Sequence, residues 1–275
     1  MQSLRDAIEM TGLTDTGRVR EHNEDAVLYD ADLGIVVLAD GMGGYNAGEV
    51  ASGLAVDVVS DTLRTTLNAE WPQGISSKAT PAVATELLAA AIARANEAVF
   101  EMAHNDPLCS GMGTTLVAAI FYDNRVAVGH VGDSRLYRYR SAEFIQLTRD
   151  HSLLQEQLDA GLIRAEDARH ATYRNLVTRA VGIEAQVEAE IQEFEVQPGD
   201  IYLFCSDGLT DMLEDPLIGE TVSLFFDSLP LAAQALVDQA NANGGKDNIS
   251  VALAGIRRDY AVETGWFSRL SSRFR

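Results

Sequence analysis

Apolar and polar positions alternate in short runs over the first forty residues. The runs "LTDTGRV" (13–19), "DAVLYD" (25–30) and "GIVVLAD" (34–40) are each closed by turn residues and predict three strands. From Gly48 to Leu67 the spacing widens, and Val50, Leu54, Val58 and Leu63 fall close to one face, predicting a helix. Asn68 to Thr80 carries Pro, Gly and Ser and reads as a loop. Thr80 is placed to cap a second helix, with Pro81 at its first position and its end near His104. Period-two runs return in "TTLVAAIFY", "RVAVGHVG", "SRLYRYR" and "EFIQLT", joined by turns such as Asp123-Asn124, which predicts a hairpin meander.

From His151 to about Ala171 the chain turns helical and polar, and Ser152 with Gln155 has the spacing of a capping box. Residues 150–180 read as an excursion from the main body. Strands resume at "AEIQEFEV" and "DIYLFCSD" around the Gln197-Pro198-Gly199 turn, helices are predicted near 208–213 and 230–242, and "NISVALAGI" supplies a last strand. No internal repeat stands out. Hairpin groups of strands with separate helix pairs predict an α+β fold: two antiparallel sheets packed face to face, with helices over the outer faces.

Composition narrows the function. The chain has 275 residues, 47% hydrophobic and 23% charged, with a formal net charge of -20. That sign repels nucleic-acid phosphates and argues against DNA or RNA as partner. A phosphorylated substrate stays possible, because bound cations reverse the local sign. The first residues lack a basic region followed by an apolar run, and no stretch approaches 18 apolar residues, so neither a signal peptide nor a membrane span is expected and a cytoplasmic setting fits. Cys109 and Cys205 stand in unlike contexts and read as buried small apolar residues rather than a disulfide or zinc pattern.

The chemistry concentrates at strand ends. "VVLADGMGG" has the outline of a phosphate-cradling loop, yet Asp40 sits where a phosphate would lie, and the glycine spacing misses GxGxxG. "SGMGTT" lacks the lysine of a P-loop and reads as tight backbone packing. Asp40, Asp133 and Asp207 each end a strand and Asp247 begins one, every one of them with a glycine nearby. An isolated Asp near Gly is ordinarily a turn residue, the reading given to Asp15, Asp32, Asp123 and Asp200. The joint placement of the other four predicts a carboxylate cluster, which repels itself unless hard dications such as Mg²⁺ or Mn²⁺ lie between its members. In "VREHNEDAV", adjacent Glu24 and Asp25 point to opposite faces of a strand, so one can face the ions while the other braces the loop. Arg20 offers a planar fork for phosphate oxygens.

These segments, in this order, resemble the PP2C (PPM) family of metal-dependent protein phosphatases, bacterial type: "GRVREHNEDAV", "VVLADGMGG", "SGMGTTLVAA", "GHVGDSRLYRYR", "TRDHSLLQEQLDAGLI", "NLVTRAVG", "GDIYLFCSDGLTD" and "GGKDNISVAL". Each piece is weak alone, but the ordered set is specific. It covers residues 12–257, read as one phosphatase domain with a flap at about 150–180 and a tail at 258–275. The resemblance implies a four-layer α-β-β-α sandwich. It also implies hydrolysis of phosphoserine and phosphothreonine in proteins by a water activated between two Mn²⁺ or Mg²⁺ ions, opposing a bacterial Ser/Thr kinase. In that pattern Asp40 bridges the two ions, Gly41 lends its carbonyl, and Asp207 and Asp247 are further ligands. Asp25 holds metal-bound water, Glu24 supports it from behind, and Arg20 binds the phosphate. Asp133, shared with Asp207, would take a third, weaker ion. Arg20, Asp40, Asp207 and Asp247 are thus the expected catalytic set. Phosphorylated proteins and a kinase are the expected partners, and a monomer is the default state.

Two departures qualify the match, and the tail lies beyond it. Met42 stands where many eukaryotic members carry a histidine thought to protonate the leaving group, and a methionine has no proton to give. His22, His130 and His151 are better read as structural. The flap segment "HATYRNLVTRAVG" lacks the commoner His-Pro-Arg-Arg start, leaving Arg174 and Arg179 to touch phosphopeptide or pair with acids of the core. The tail "TGWFSRLSSRFR" is basic and aromatic, either a docking segment or a frayed end. The competing function is a catalytically silent relative acting as a binding module. The retained carboxylates count against it, as Asp40 counts against a nucleotide-binding oxidoreductase.

Overall fold

The computed structural model describes residues 4–44, 47–70, 81–164 and 176–261. A short helix α1 (Leu4–Ala7) leads into strands β1 (Ile8–Asp15), β2 (Asp25–Asp30) and β3 (Ile35–Met42). Helices α2 (Ala47–Glu70) and α3 (Pro81–Asn105) follow. After a single 3₁₀ turn at Pro107–Cys109 come β4 (Gly113–Thr114), β5 (Leu116–Tyr122), β6 (Arg125–Val131), β7 (Arg135–Arg140) and β8 (Glu143–Gln146). Helix α4 (Leu153–Asp159) opens the flap. Strands β9 (Glu190–Glu195) and β10 (Ile201–Cys205), helices α5 (Asp207–Thr210), α6 (Asp215–Leu224) and α7 (Leu229–Ala242), and strand β11 (Ile249–Ile256) complete the chain.

Two antiparallel sheets form, in the orders β1-β11-β10-β7-β8 and β2-β3-β5-β6-β9, with β4 paired to β3. Side-chain alternation divides each central strand between two cores. On β3, Ile35, Val37 and Ala39 meet α2 and α3, while Val36 and Leu38 turn toward the other sheet. On β10, Tyr202 and Phe204 share that middle layer, while Ile201, Leu203 and Cys205 pack against α5, α6 and α7. The result is the four-layer α-β-β-α sandwich. Cys109 and Cys205 are buried and unpaired, as expected.

Several predicted elements shift. The first strand runs from Ile8 rather than Leu13, because its whole length pairs with β11, Ile8 opposite Ile256 and Asp15 opposite Ile249. Residues 16–20 then turn rather than extend. Helix α6 is absent from the sequence reading, which placed helices only near 208–213 and 230–242. Pro216 lies in its first turn, where no N–H partner is needed, and Gly219 lets the Phe144 side chain approach, since a Cβ there would lie 2.8 Å from the Phe144 Cβ. Ser152 caps α4 by accepting from the Gln155 amide at 3.2 Å, but Gln155 turns to Asp159 instead of completing the box. Thr80, Arg174 and the basic tail segment from Thr264 lie outside the described residues.

Candidate active site

Strand parity assembles the site. Asp40 follows Val36 and Leu38 on the face of β3 that looks toward the other sheet, and Asp25 lies directly opposite it on β2. Both carboxylates therefore enter the mouth of the middle layer. From the other sheet, Ser206 follows Tyr202 and Phe204 on the same parity, and its hydroxyl donates to Asp25 Oδ2 at 2.8 Å. Asp207 begins α5 at once after Ser206, and Asp247 lies two residues before β11 rather than at its first position, with Asn248 between them. Asp133 sits in the turn after β6.

These carboxyls feel one another. Burial raises Asp40 well above the ordinary aspartate range, and the charges of Asp25, Asp207, Asp133 and Asp247 push the same way. Asp207 is likewise raised by burial and then by Asp133, Asp211, Asp247 and Asp25. Burial lifts Asp25 to about 6 against the hydroxyls of Ser250 and Ser206, and lifts Asp133 to about 7 with help from Asp150. Asp25 Oδ1 and Asp207 Oδ1 are buried and find no hydrogen-bond partner among the described residues. Orphaned, mutually repelling carboxylate oxygens are a donor set suited to hard dications.

The supporting contacts explain the flanking sequence. Glu24, of opposite parity to Asp25, turns to the N-terminus of α2, where it accepts from the Gly48 amide. The Gly41 amide donates to the Glu24 carbonyl at 3.0 Å, and a Cβ at Gly41 would lie 2.1 Å from the Gly48 carbonyl oxygen. Only glycine lets β3 and α2 close this tightly. Arg20 Nη2 donates to Asp247 Oδ2 at 2.7 Å, a bond that uses one of the guanidinium's five N–H groups at a half-exposed position.

Four participants escaped the sequence reading. Asp211, one helical turn after Asp207, adds its charge to both Asp207 and Asp133; the i, i+4 spacing in "SDGLTD" was the available signal. Asn248 accepts from the Glu24 amide and donates to the carbonyls of Thr16 and His22, stapling the Arg20 loop to β11. Thr114 donates its hydroxyl to the Asp40 carbonyl at 2.9 Å. The Thr115 amide donates to the same carbonyl at 2.8 Å, and its hydroxyl accepts from the Asp40 amide. The "SGMGTT" loop is tightly packed as expected, since a Cβ at Gly113 would meet Ile183 at 2.7 Å. Its threonines also hold Asp40. His130 and His151 are buried, stacked on each other at 4.7 Å, and hydrogen-bonded to backbone, in keeping with a structural reading. Arg179 donates to the Glu188 carbonyl at 2.8 Å.

Comparison with known proteins identifies the fold and the family. A family model described as Protein phosphatase 2C matches residues 16–243. The serine/threonine phosphatase stp of Listeria monocytogenes is 39% identical over 249 residues, covering 90% of this chain and 94% of that one. The crystal structure of the Mycobacterium tuberculosis serine/threonine phosphatase PstP/Ppp superposes with a TM-score of 0.81 at 34% identity, covering 92% of this chain and all of the other. The PstP catalytic domain in complex with two manganese ions gives 0.79 at 33% identity, covering 92% and 99%. With its fold and about nine-tenths of its length matched to these proteins, the chain belongs to the protein phosphatase 2C family.

Proposed function

We propose that this chain removes phosphate from phosphoserine and phosphothreonine in proteins, using two Mn²⁺ or Mg²⁺ ions held by Asp40, the Gly41 carbonyl, Asp207 and Asp247. The observation that carries this reading is the convergence of buried and half-buried aspartates from both sheets, with the buried Asp25 Oδ1 and Asp207 Oδ1 unpartnered among the described residues. Asp25 orients water from its place opposite Asp40, and Glu24 fixes that strand to α2. Asp133, Asp207 and Asp211 offer a third, weaker position. The ions, when bound, supply Lewis-acid neutralisation of the phosphoryl oxygens and acidify a coordinated water.

The chain's own residues position the substrate. Arg20 lies 2.7 Å from Asp247, so its remaining N–H groups can engage a phosphoryl oxygen beside that carboxylate. Met42 ends β3 and has no proton to give, so the acid for the leaving alkoxide would be a water held at the ions rather than this side chain. The substrates are phosphoproteins, and the product of a Ser/Thr kinase is the chemistry that must feed such a site. The net charge of -20 argues against nucleic acid as partner, a monomer in the cytoplasm is the default state in this reading, and no helix among the described residues is long and apolar enough to cross a membrane. Residues 12–257 form the phosphatase unit in this reading.

The test is release of phosphate from a phosphothreonine peptide by metal-stripped protein as Mn²⁺ is titrated back, beside Asp207→Asn. Turnover that appears with Mn²⁺ and collapses in the variant supports the reading. Mn²⁺ binding without phosphate release overturns it.

A further inference from the structure

The flap joins the body at a point that bears on Asp133. His151, at the flap's entry, makes two bonds to Gly132, the residue before Asp133. The His151 amide donates to the Gly132 carbonyl at 2.9 Å, and the Gly132 amide donates to His151 Nδ1 at 3.1 Å. The returning leg of the flap is tied to the same residue, because the Thr178 amide donates to the His151 carbonyl at 2.8 Å. Gly132 needs holding. Its φ is +101°, a region that L side chains avoid, and a Cβ there would lie 2.7 Å from the Thr115 Cβ. Thr115 in turn bonds both backbone groups of Asp40. One imidazole thus sits one residue from Asp133 and one packing contact from the segment that holds Asp40.

The bonds also fix the tautomer. An N–H pointing at Nδ1 demands its lone pair, so the neutral ring carries its proton on Nε2, which faces Glu190 Oε2 at 3.7 Å. Burial, with His130 and Arg179 alongside, pushes His151 down to about 4 and keeps it neutral. This excludes the other use of the cluster. Ligand atoms of His130, His151 and Glu190 come within 4.8 Å of one another, but the bond from the Gly132 amide leaves the ring proton on Nε2, so Arg179 Nη1, 3.4 Å from that nitrogen, gives its N–H to the Glu188 carbonyl at 2.8 Å instead. A cation would meet a donor and a guanidinium there.

We infer that His151 is a positioning residue: its Nδ1 lone pair and backbone amide clamp Gly132, set the direction of the Asp133 carboxylate, and so control how tightly the weakest metal position binds. The inference rests on the reading of Asp133 as a ligand of that position.

The experiment is Mn²⁺ titration of the metal-stripped full-length chain by calorimetry, with His151→Asn, His151→Gln, His151→Leu and Asp133→Asn, each checked by circular dichroism and melting. Asn presents an acceptor where Nδ1 was, Gln moves it out to the Nε2 position, and Leu has none. The weakest Mn²⁺ event is expected to lose affinity by about 10-fold in the Leu and Gln variants, as for other residues that orient a ligand, while Asn keeps wild-type binding. Nitrogen-15 correlation spectra are expected to show Nδ1 unprotonated and Nε2 protonated. A Leu variant that binds like wild type overturns the inference, as does an Asn variant as impaired as Leu, since both would mark His151 as mere packing. Should Asp133→Asn leave every Mn²⁺ event unchanged, the ligand reading has failed and the clamp falls with it. Should Asp133→Asn remove the weakest event while His151→Leu does not, the ligand reading stands and the clamp alone is wrong.

Discussion

Asp25 and Asp40 face each other on neighbouring antiparallel strands, and both enter the layer between the two sheets at its open end. Side-by-side carboxylates in a buried place cost the folded state energy unless a cation compensates them. Function and stability therefore oppose each other at this pair. Asp40→Asn is expected to reduce turnover at least ~100-fold, since a charge aimed at the reacting centre is lost. The same change is expected to raise the melting temperature of the metal-stripped protein. Kinetics and calorimetry on one preparation check both.

The acid–base behaviour of the metal-stripped protein follows the same cause. Asp25 at about 6 and Asp133 at about 7 hold their protons more tightly folded than unfolded. Their contribution to stability is complete below the unfolded value of about 3.9 and is lost as pH rises through the folded values. His151, pushed down to about 4, acts oppositely, and its contribution fades as pH falls below about 6.5. Asp40 and Asp207 add to the carboxyl side, so the net trend is theirs. The melting temperature is expected to be higher near pH 5.5 than near pH 8. Saturating Mn²⁺, which needs deprotonated ligands, is expected to reverse that order.

Arg20 is half-exposed, so its ion pair with Asp247 is screened and contributes little to folding. Arg20→Ala is expected to leave the melting temperature nearly unchanged and to lower kcat/KM for a phosphopeptide by roughly 10- to 100-fold. Steady-state kinetics beside a melting curve separates the two effects.

Glycines give a contrast in sign. A Cβ at Gly41 would meet the Gly48 carbonyl oxygen at 2.1 Å and the Glu24 carbonyl oxygen at 2.6 Å, so Gly41→Ala must part β3 from α2. A loss of about 1–3 kcal/mol is expected, together with loss of Mn²⁺ binding. Gly53 lies inside α2 with no atom within 4 Å of its would-be Cβ. Gly53→Ala is expected to stabilise the protein by about 0.5–1 kcal/mol. Denaturant unfolding of both variants reads the difference.

Much of this was legible because strand chemistry is local. Apolar alternation located ten of the described strands, allowing for shifted ends, and the aspartates picked out for their place near strand ends are the ones the two sheets bring together in the candidate site. The opposite roles of Glu24 and Asp25 followed from parity alone. What escaped was set by distant partners. The start of β1 is dictated by β11, some 240 residues away, and α6 depends on Phe144 filling the space above Gly219. Asn248, Thr114 and Thr115 look like ordinary strand and loop residues until their partners arrive. Asp200, read as a turn residue, does bond the Gln197 amide, but it is also buried and takes both oxygens to Arg140, an ion pair that no local pattern announces.

The bond from Ser206 to Asp25 crosses from one sheet to the other. Half of the site is therefore mounted on each slab, and the gap between the halves is inherited from whatever separates the slabs. That spacer is the layer of Val36, Leu38, Val117, Phe121, Tyr202 and Phe204, all fully buried. Close-packed side chains are nearly incompressible and act as a gauge block. The width of the candidate site is thus written in hydrocarbon volume well away from the carboxylates themselves. Trimming or enlarging one of those side chains would retune the spacing of the carboxylates while leaving every one of them in place.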